Sequence, residues 1–204
     1  MDKQAIRGKF GGDYVASDRT FRMGIDQRFT TPIAERFSGR TVLETCTGGG
    51  FTTIALARTA RHVFTIEIDP DIQAQAKLNV ERAGLLEKVT FLSGDALDQR
   101  LLAQVSSIDS ALLDPDWAVT GPEHVFRFQK SNTRPPADEL LEGVFSLSSD
   151  VGLVLPPLVD TREFSGLPQH ELQAMYLGDS HELYILFFGT LAGSSGVTRF
   201  RVDR

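Results

Sequence analysis

Acidic residues end three consecutive predicted strands, and their positions indicate a nucleoside site. Glu44 ends an apolar stretch, Glu67 ends the next one, 17 residues after Gly50, and Asp95 follows the third. The carboxyl ends of neighbouring strands meet at one edge of such a sheet, where ligands bind. Glu67 can accept both vicinal hydroxyls of a ribose, and Asp95 can accept the exocyclic amine of adenine. The set predicts an adenosine-binding edge; the alternative for Glu67 is an ordinary surface acid.

The turn after the first strand contains three glycines, Gly48 to Gly50, and leads into a helix of small and apolar residues. A strand that turns through glycine into a helix opens a doubly wound nucleotide-binding sheet, where a cofactor lies against backbone without a Cβ. A dinucleotide fingerprint has glycine or alanine where this chain has Thr53, which counts against NAD or FAD. The acid Glu44 before the glycines instead resembles motif I of class I S-adenosylmethionine (SAM) methyltransferases, whose cofactor is cationic and carries no phosphate. A glycine run that only turns the chain is the alternative.

The fourth predicted strand leads into Asp114, Pro115, Asp116 and Trp117. This tetrapeptide resembles motif IV of amino methyltransferases, which methylate exocyclic amines. Such an amine is a poor nucleophile until hydrogen-bond acceptors localise its lone pair, so Asp114 and the Pro115 carbonyl would accept its protons while Trp117 stacks on the ring. Core packing is the alternative for Trp117. The family has a second proline where this chain has Asp116. The replacement of that proline would loosen the turn and place two carboxylates together. Alternatively, it would mark a domain that binds the cofactor without catalysis.

The order of motifs resembles the trimethylguanosine synthase family of RNA cap guanine-N2 methyltransferases over nearly the whole chain. The matching segments are KFGGDY, FTTPIAERFSGR, VLETCTGGGFTTIALA, IEIDP, SGDAL, the Asp-Pro-x-Trp turn with Gly121-Pro122, VGLVLPP and a late pair of strands. The resemblance implies SAM as methyl donor and S-adenosylhomocysteine (SAH) as product, with Trp117 stacked on a purine. It places adenosine on Glu67 and Asp95 and the methionine end near Thr31 and Pro32. The cofactor-binding set is Thr31, Pro32, Glu44, Thr45, Cys46, Gly48, Gly50, Glu67, Ile68, Asp95 and Ala96.

These motifs predict an α/β fold, a doubly wound seven-stranded Rossmann-like class I methyltransferase sheet with an N-terminal arm or helical extension that packs on the core. We expect residues 1–40 to form an arm and a short helix, opened by Thr31-Pro32 and ended at Gly39, and 41–204 to form the methyltransferase domain. The arm shows no periodicity of its own. Predicted strands cover 42–45, 62–68, 89–93, 110–114, 151–155, 171–176 and 182–188; helices follow the glycine turn, run from Asp69-Pro70 to Gly84 and cover 136–145. A long loop at 118–136 contains His124, which could contact substrate, although a lone loop histidine is more often solvated.

Composition narrows the function classes. The 204 residues are enough for one domain. The single cysteine excludes an internal disulfide, and we expect it to pack beneath the glycine turn. No spacing of Cys and His residues predicts a metal site. No apolar run is long enough for a membrane span, so a cytoplasmic protein is the expectation. Net charge is −6, yet residues 1–40 hold eight Lys/Arg against five Asp/Glu, and further cations lie at 127, 130 and 134. These could attract phosphate or could be solvated charge.

The leading functional hypothesis is a SAM-dependent N-methyltransferase acting on guanine N2 of RNA. Two alternatives stay open: a SAM-binding regulatory module without catalysis, and a methyltransferase of small molecules. The oligomeric state does not follow from the sequence.

Overall fold

The computed structural model describes residues 1–105, 107–117 and 125–203. Within these residues the chain forms two compact units, Met1–Asp109 and Ser110–Arg204. The predicted boundary at residue 40 stays a prediction. Among the described helices, none is long and apolar enough to cross a bilayer.

The first unit contains a parallel three-stranded sheet in the order β3-β2-β1. Its strands are β1 Thr41–Thr45, β2 His62–Glu67 and β3 Val89–Ser93, and its helices are α1 Lys3–Phe10, α2 Asp18–Met23, α3 Gln27–Glu35, α4 Phe51–Thr59, α5 Pro70–Arg82 and α6 Gln99–Leu102. Asp69 caps α5, with its side chain accepting from the backbone N–H groups of Asp71 and Ile72, as predicted. In register, Thr45 lies beside Ile66 and Glu67 beside Ser93, so the three strands end at one edge.

The N-terminal segment forms the helices α1 and α2, in a stretch where the sequence shows no periodicity. Asp2 and Ser17 cap α1 and α2 through hydrogen bonds to backbone N–H groups. These helices are too short to show a repeat in the sequence, and contact with the rest of the unit holds them. The buried ring of Phe10 stacks on Phe51 at the start of α4, with centroids 3.5 Å apart. The segment is therefore part of the unit's core.

The helix predicted to open at Thr31 begins earlier, which is a correction. Helix α3 starts at Gln27 because the Asp26 side chain accepts from the Arg28 N–H and caps it. Thr31 and Pro32 therefore lie inside the helix, with Thr31 exposed and Pro32 half-buried. The predicted N-cap role of Thr31 and first-position role of Pro32 are wrong.

The second unit contains five strands in the order β4-β5-β7-β6-β8. They are β4 Ser110–Leu113, β5 Val151–Leu155, β6 His170–Leu177, β7 Ser180–Phe188 and β8 Gly196–Val202, and helix α7 is Ala137–Phe145. β4 and β5 are parallel, β7 is antiparallel to β5 and β6, and β8 is parallel to β6. β5 is buried along its whole length.

β8 is the strand that the sequence prediction missed, so the described residues form eight strands and the predicted number of seven is wrong. Its sequence GVTRFRV has one apolar residue, Val197, on one face and two, Phe200 and Val202, on the other. That arrangement gives no alternating pattern to recognise. Pairing with β6 over seven residue pairs holds the strand in place.

We predict that Phe10→Ala lowers the free energy of unfolding by about 3 kcal/mol, because it removes a buried ring and leaves a cavity against Phe51. Urea unfolding followed by circular dichroism measures this loss. Arg7→Ala on the same helix is the matched control, since Arg7 and its partner Asp13 are exposed and such pairs contribute about 0–1 kcal/mol. Equal stability of the two variants would show that the N-terminal helices are not part of the core.

Candidate functional site

Glu44 is a buried carboxylate at the end of β1, with 2% of its surface exposed. Its Oε2 accepts hydrogen bonds from the Thr53 hydroxyl of α4 at 2.5 Å and the Thr65 hydroxyl of β2 at 2.7 Å. Thr65 also lies 2.6 Å, hydroxyl to hydroxyl, from Thr47 of the glycine turn. Thr53 and Thr65 hold the Glu44 carboxylate in place, and Thr47 is linked to it through Thr65.

Burial raises the pKa of Glu44 from 4.5 to about 7, while the Thr53 and Thr65 hydrogen bonds lower it and the nearby charge of Glu67 raises it. A carboxyl group without water around it holds its proton more tightly. A cation near Glu44 would reverse this effect, because it favours the ionised acid.

Two glycines of the glycine turn have positive φ, Gly48 at +54° and Gly50 at +79°, a region that glycine adopts without strain. A Cβ on Gly50 would lie 3.1 Å from Ala76 of α5, so the protein itself fills that space. A Cβ on Gly48 would meet nothing closer than 3.8 Å, the Cys46 carbonyl oxygen. The backbone of Gly48 is therefore open to a ligand, whereas Gly50 is required for packing.

Glu67 at the end of β2 faces the glycine turn. It is 7% exposed, and its two carboxylate oxygens accept from the Gly48 N–H at 2.9 Å and the Asp69 N–H at 3.1 Å. The first of these bonds holds the open glycine against the second strand. A ribose on Glu67 would compete with these backbone donors.

The residues after β2 and β3 lie at the same edge of the first unit. Ile68 is 69% exposed although it is apolar. Asp95 is exposed and its side chain accepts from the Leu97 N–H, while Ala96 is buried. An exposed apolar side chain beside acids is a surface on which a flat ring can pack.

Two further predicted residues, Thr45 and Cys46, lie where β1 ends and the turn begins. Thr45 is completely buried, and its hydroxyl oxygen has no hydrogen-bond partner among the described residues. Cys46 is half-buried with φ +62°. The structure thus brings together Glu44, Thr45, Cys46, Gly48, Gly50 and Glu67, with Ile68, Asp95 and Ala96 following the neighbouring strand ends.

Sequence reasoning missed Thr53 and Thr65 as partners of Glu44, and it missed Asn79. The fully buried Asn79 side chain donates to the Gly49 and Val15 carbonyls, both at 2.8 Å, and accepts from the Val15 N–H at 2.7 Å. It joins the glycine turn to the N-terminal helices. Thr53 stood out in the sequence only as a departure from a glycine pattern.

The Asp-Pro-Asp-Trp turn lies in the second unit, directly after β4. Pro115 is buried, and Asp114, Asp116 and Trp117 are half-buried. The Asp116 N–H donates to the Arg134 carbonyl and the Arg134 N–H donates to the Asp116 carbonyl, both at 2.8 Å. A proline at position 116 has no N–H to donate. Asp116 therefore keeps a backbone bond that the usual second proline of the motif would remove.

Residues 125–135 follow in the second unit, as the described part of the predicted loop. The Glu163 carboxylate accepts from the Arg127 side chain and the backbone N–H groups of Phe128 and Gln129, at 2.6–2.8 Å. Asp138 accepts from the Lys130 and Ser131 N–H groups. Two acids thus hold this segment. His124, Gly121 and Pro122 lie outside the described residues.

Metal ligation has no support in the described part of the chain, where no group of three or more His, Cys, Asp or Glu residues is placed to hold an ion.

Comparison with known proteins gives a family and partial relatives. Residues 39–177 match the family described as RNA cap guanine-N2 methyltransferase. Catechol O-methyltransferase of Mycobacterium tuberculosis is 36% identical over 92 residues, which are 44% of this chain and 42% of that protein. An uncharacterized methyltransferase of Synechocystis sp. is 32% identical over 108 residues, which are 46% of this chain and 51% of that protein. The chain thus spans about half the length of the curated relatives that it matches.

Solved structures show the fold. A candidate methyltransferase of Porphyromonas gingivalis W83 gives a TM-score of 0.76 at 19% identity, covering 94% of this chain and 48% of that one. An O-methyltransferase of Bacillus cereus in complex with SAH gives 0.59 at 17% identity, covering 92% and 96%. The predicted class, an α/β Rossmann-like fold with a mostly parallel sheet, is confirmed apart from the strand number.

We predict that the stability contributed by Glu44 falls as pH rises. Because its folded pKa of about 7 lies above the unfolded 4.5, the folded chain keeps a proton that the unfolded chain has released between these values. The stabilisation by Glu44 is complete below the unfolded pKa of 4.5, and about 3 kcal/mol of it is lost once the pH has risen through the folded pKa of about 7. The difference in unfolding free energy between wild type and Glu44→Gln, measured by urea titration across this range, should show that slope. A constant difference would contradict the buried, protonated state.

Proposed function

The chain belongs to the RNA cap guanine-N2 methyltransferase family, and from this premise we propose that it is a SAM-dependent N-methyltransferase of the trimethylguanosine synthase type. The acceptor that we propose is an exocyclic amine, guanine N2 of RNA. The observation that carries the proposal is the buried Glu44 beside the open backbone of Gly48. A carboxylate at the end of the first strand attracts a cationic cofactor, whereas a phosphate-containing cofactor would be bound by the N-terminus of a helix.

The residues of the first unit fit SAM or SAH in chemistry and in space. Gly48 leaves room against the backbone, and the unpartnered Thr45 hydroxyl is a buried polar group that a ligand or water would satisfy after a small shift. Glu67 would accept the ribose hydroxyls in place of its backbone donors, and the exposed Ile68 would pack on the adenine ring. Asp95 would accept a hydrogen bond from the exocyclic amine of adenine, and the backbone at Ala96 would contact the same edge of the ring.

Charge supports the same assignment. SAM carries an ammonium and a sulfonium, and Glu67 lies close enough to Glu44 for its charge to raise the pKa of Glu44. Ionisation of Glu44 would offset part of the ligand's positive charge, so we expect binding to release a proton near neutral pH. The Thr53 and Thr65 hydroxyls would keep the ionised acid hydrogen-bonded.

The acceptor turn of the second unit would do the remaining chemistry. When bound, SAM supplies a methyl group on positively charged sulfur, which passes to the amine nitrogen as the carbon–sulfur bond breaks and SAH is left. Asp114 and the Pro115 carbonyl would hold the two amine hydrogens, and Asp114 would take the proton that the nitrogen loses. Trp117 would stack on the purine and fix its plane.

A small-molecule methyltransferase is the second candidate. The observation that favours it is the 36% identity to a catechol O-methyltransferase, which covers 44% of this chain. Transfer of labelled methyl from SAM to capped RNA, guanosine and catechols, assayed side by side, separates the two candidates. Label in guanine N2 supports our proposal, and label confined to catechols supports the second candidate.

A cofactor-binding module without catalysis is the third candidate, because Asp116 replaces a motif proline. The bond between the Asp116 N–H and the Arg134 carbonyl shows what the replacement provides, namely a backbone donor for the turn. Binding of SAH without transfer to any of these acceptors would support this candidate against the other two.

We predict that Asp114→Ala lowers kcat by about 100-fold or more, since it removes the proton acceptor, while SAM affinity changes less than about twofold. Glu139→Ala on the exposed side of α7 is the matched acidic control and should leave both values unchanged. Steady-state methyl transfer and SAH titration provide the two measurements. Unchanged turnover in Asp114→Ala would remove Asp114 from the mechanism.

We also predict that Trp117→Ala raises the acceptor KM about tenfold, because base stacking on an aromatic ring is worth about 1–3 kcal/mol. Trp117→Phe should recover most of that loss. The same titrations report SAM affinity, and equal weakening of SAM and acceptor would contradict a stacking role.

A further inference from the structure

One face of β6, β7 and β8 carries three aromatic rings and two arginines. We call Tyr176, His181, Tyr184, Arg199 and Arg201 the aromatic-basic face. Two of the three tyrosines in the chain are on it. None of these side chains belongs to the cofactor residues or to the acceptor turn.

The strand register explains why these residues share a face. Ala174 of β6 pairs with Tyr184 of β7 and with Arg199 of β8. The register between β6 and β7 shifts by one residue after Met175, so that Tyr176 pairs with His181 as well as with Arg201 of β8. Directly paired residues in neighbouring strands point to the same side of a sheet. β8, which the sequence did not reveal, supplies both arginines.

The rings form a continuous row. His181 stacks on Tyr176 with centroids 4.8 Å apart and meets Tyr184 edge to face at 4.3 Å. Burial lowers the pKa of His181, so at neutral pH it packs as an uncharged ring. The Arg201 guanidinium lies over the Tyr176 ring, with its Cζ 5.4 Å from the ring centroid.

The two arginines are available to a ligand. Both are exposed, and Arg199 forms no ion pair with the described acids. Arg201 pairs with Asp179 at 2.7 Å, but the Asp179 side chain is 100% exposed. Exposed pairs contribute little, so a phosphate group can replace Asp179.

Position along the chain makes these charges unusual. Residues 137–204 contain only four cations, all arginine, and three of them fall in the last six residues, at 199, 201 and 204. The same region is rich in acids. On the face itself, Val197 is 69% exposed and the three rings are half-buried.

We propose that the aromatic-basic face binds single-stranded RNA, with bases stacking on the Arg201 plane and the tyrosine rings and phosphates paired with Arg199 and Arg201. Rings and guanidinium groups on an open sheet are the chemistry by which proteins hold unpaired nucleotides. The face would hold RNA that flanks the methylated guanine. This proposal rests on the proposed function in one respect, that RNA is the methyl acceptor.

The test is fluorescence anisotropy of a labelled oligouridylate of about 12 nucleotides, a length that suits one single-strand site, with no cofactor present. Arg199→Ala/Arg201→Ala should weaken binding about tenfold and reduce the slope of log K against log salt by about 1.4 between about 50 and 200 mM salt. Arg162→Ala is the matched control, because Arg162 is an exposed arginine of the same unit, paired with Asp160 at 2.7 Å as Arg201 is paired with Asp179 at 2.7 Å. It should leave RNA affinity unchanged.

Ring substitutions test stacking apart from charge. Tyr176→Ala should weaken RNA binding about fivefold or more and Tyr176→Phe should not, since only the ring is required. Thermal melting confirms that each variant is folded. Equal losses in Arg162→Ala and the double variant, or no loss in the double variant, would overturn the proposal, as would capture of an acidic peptide but not RNA.

Measuring methyl transfer and RNA binding separately distinguishes failure of the RNA-binding face from failure of the proposed methyltransferase activity. Methyl transfer to free guanosine should be unaffected in Arg199→Ala/Arg201→Ala, because the face lies outside the reacting groups. Wild type that binds RNA through these arginines without methylating it supports the face and refutes the function. Wild type that methylates guanosine with RNA affinity independent of these arginines refutes the face alone.

Discussion

The burial of one carboxylate, Glu44, is the constraint on which the first unit depends. An acid removed from water is costly unless donors replace the water, and two threonine hydroxyls from α4 and β2 do so here. The hydrogen bonds therefore tie the end of β1 to the helix that follows it and to the next strand. Burial raises the acid's pKa to about 7, against the lowering effect of these hydrogen bonds, and near neutrality a cationic ligand has the greatest effect on its charge.

The glycine turn is held from two other sides. Glu67 binds the Gly48 N–H from β2, and Asn79 binds the Gly49 carbonyl from α5. The same asparagine binds Val15, so the N-terminal helices and the turn share one buried side chain. The turn is therefore held in place before a ligand arrives, and the bonds that a ribose would replace are those from the Gly48 and Asp69 N–H groups to Glu67.

Local signals in the sequence were enough for much of the fold, and long-range contacts explain what they missed. Asp69-Pro70 and the acids after β1 and β2 were recognisable because caps and strand ends depend on neighbouring residues. The positions of the N-terminal helices and the strand β8 were missed, since Phe10 is held by Phe51 and β8 by β6. The roles of the site acids follow from type and position, whereas the Thr53 and Thr65 partners arise only when the chain folds.

The measurement that tests the account most directly is calorimetric titration of the chain with SAH at about pH 6 and about pH 8, repeated with Glu44→Gln. We expect one SAH per chain, tighter binding at the higher pH because the ligand's ammonium favours the ionised acid, and loss of that pH dependence in Glu44→Gln. Absence of heat with SAH at both pH values, alongside tight uptake of a nicotinamide or flavin dinucleotide, would contradict the account.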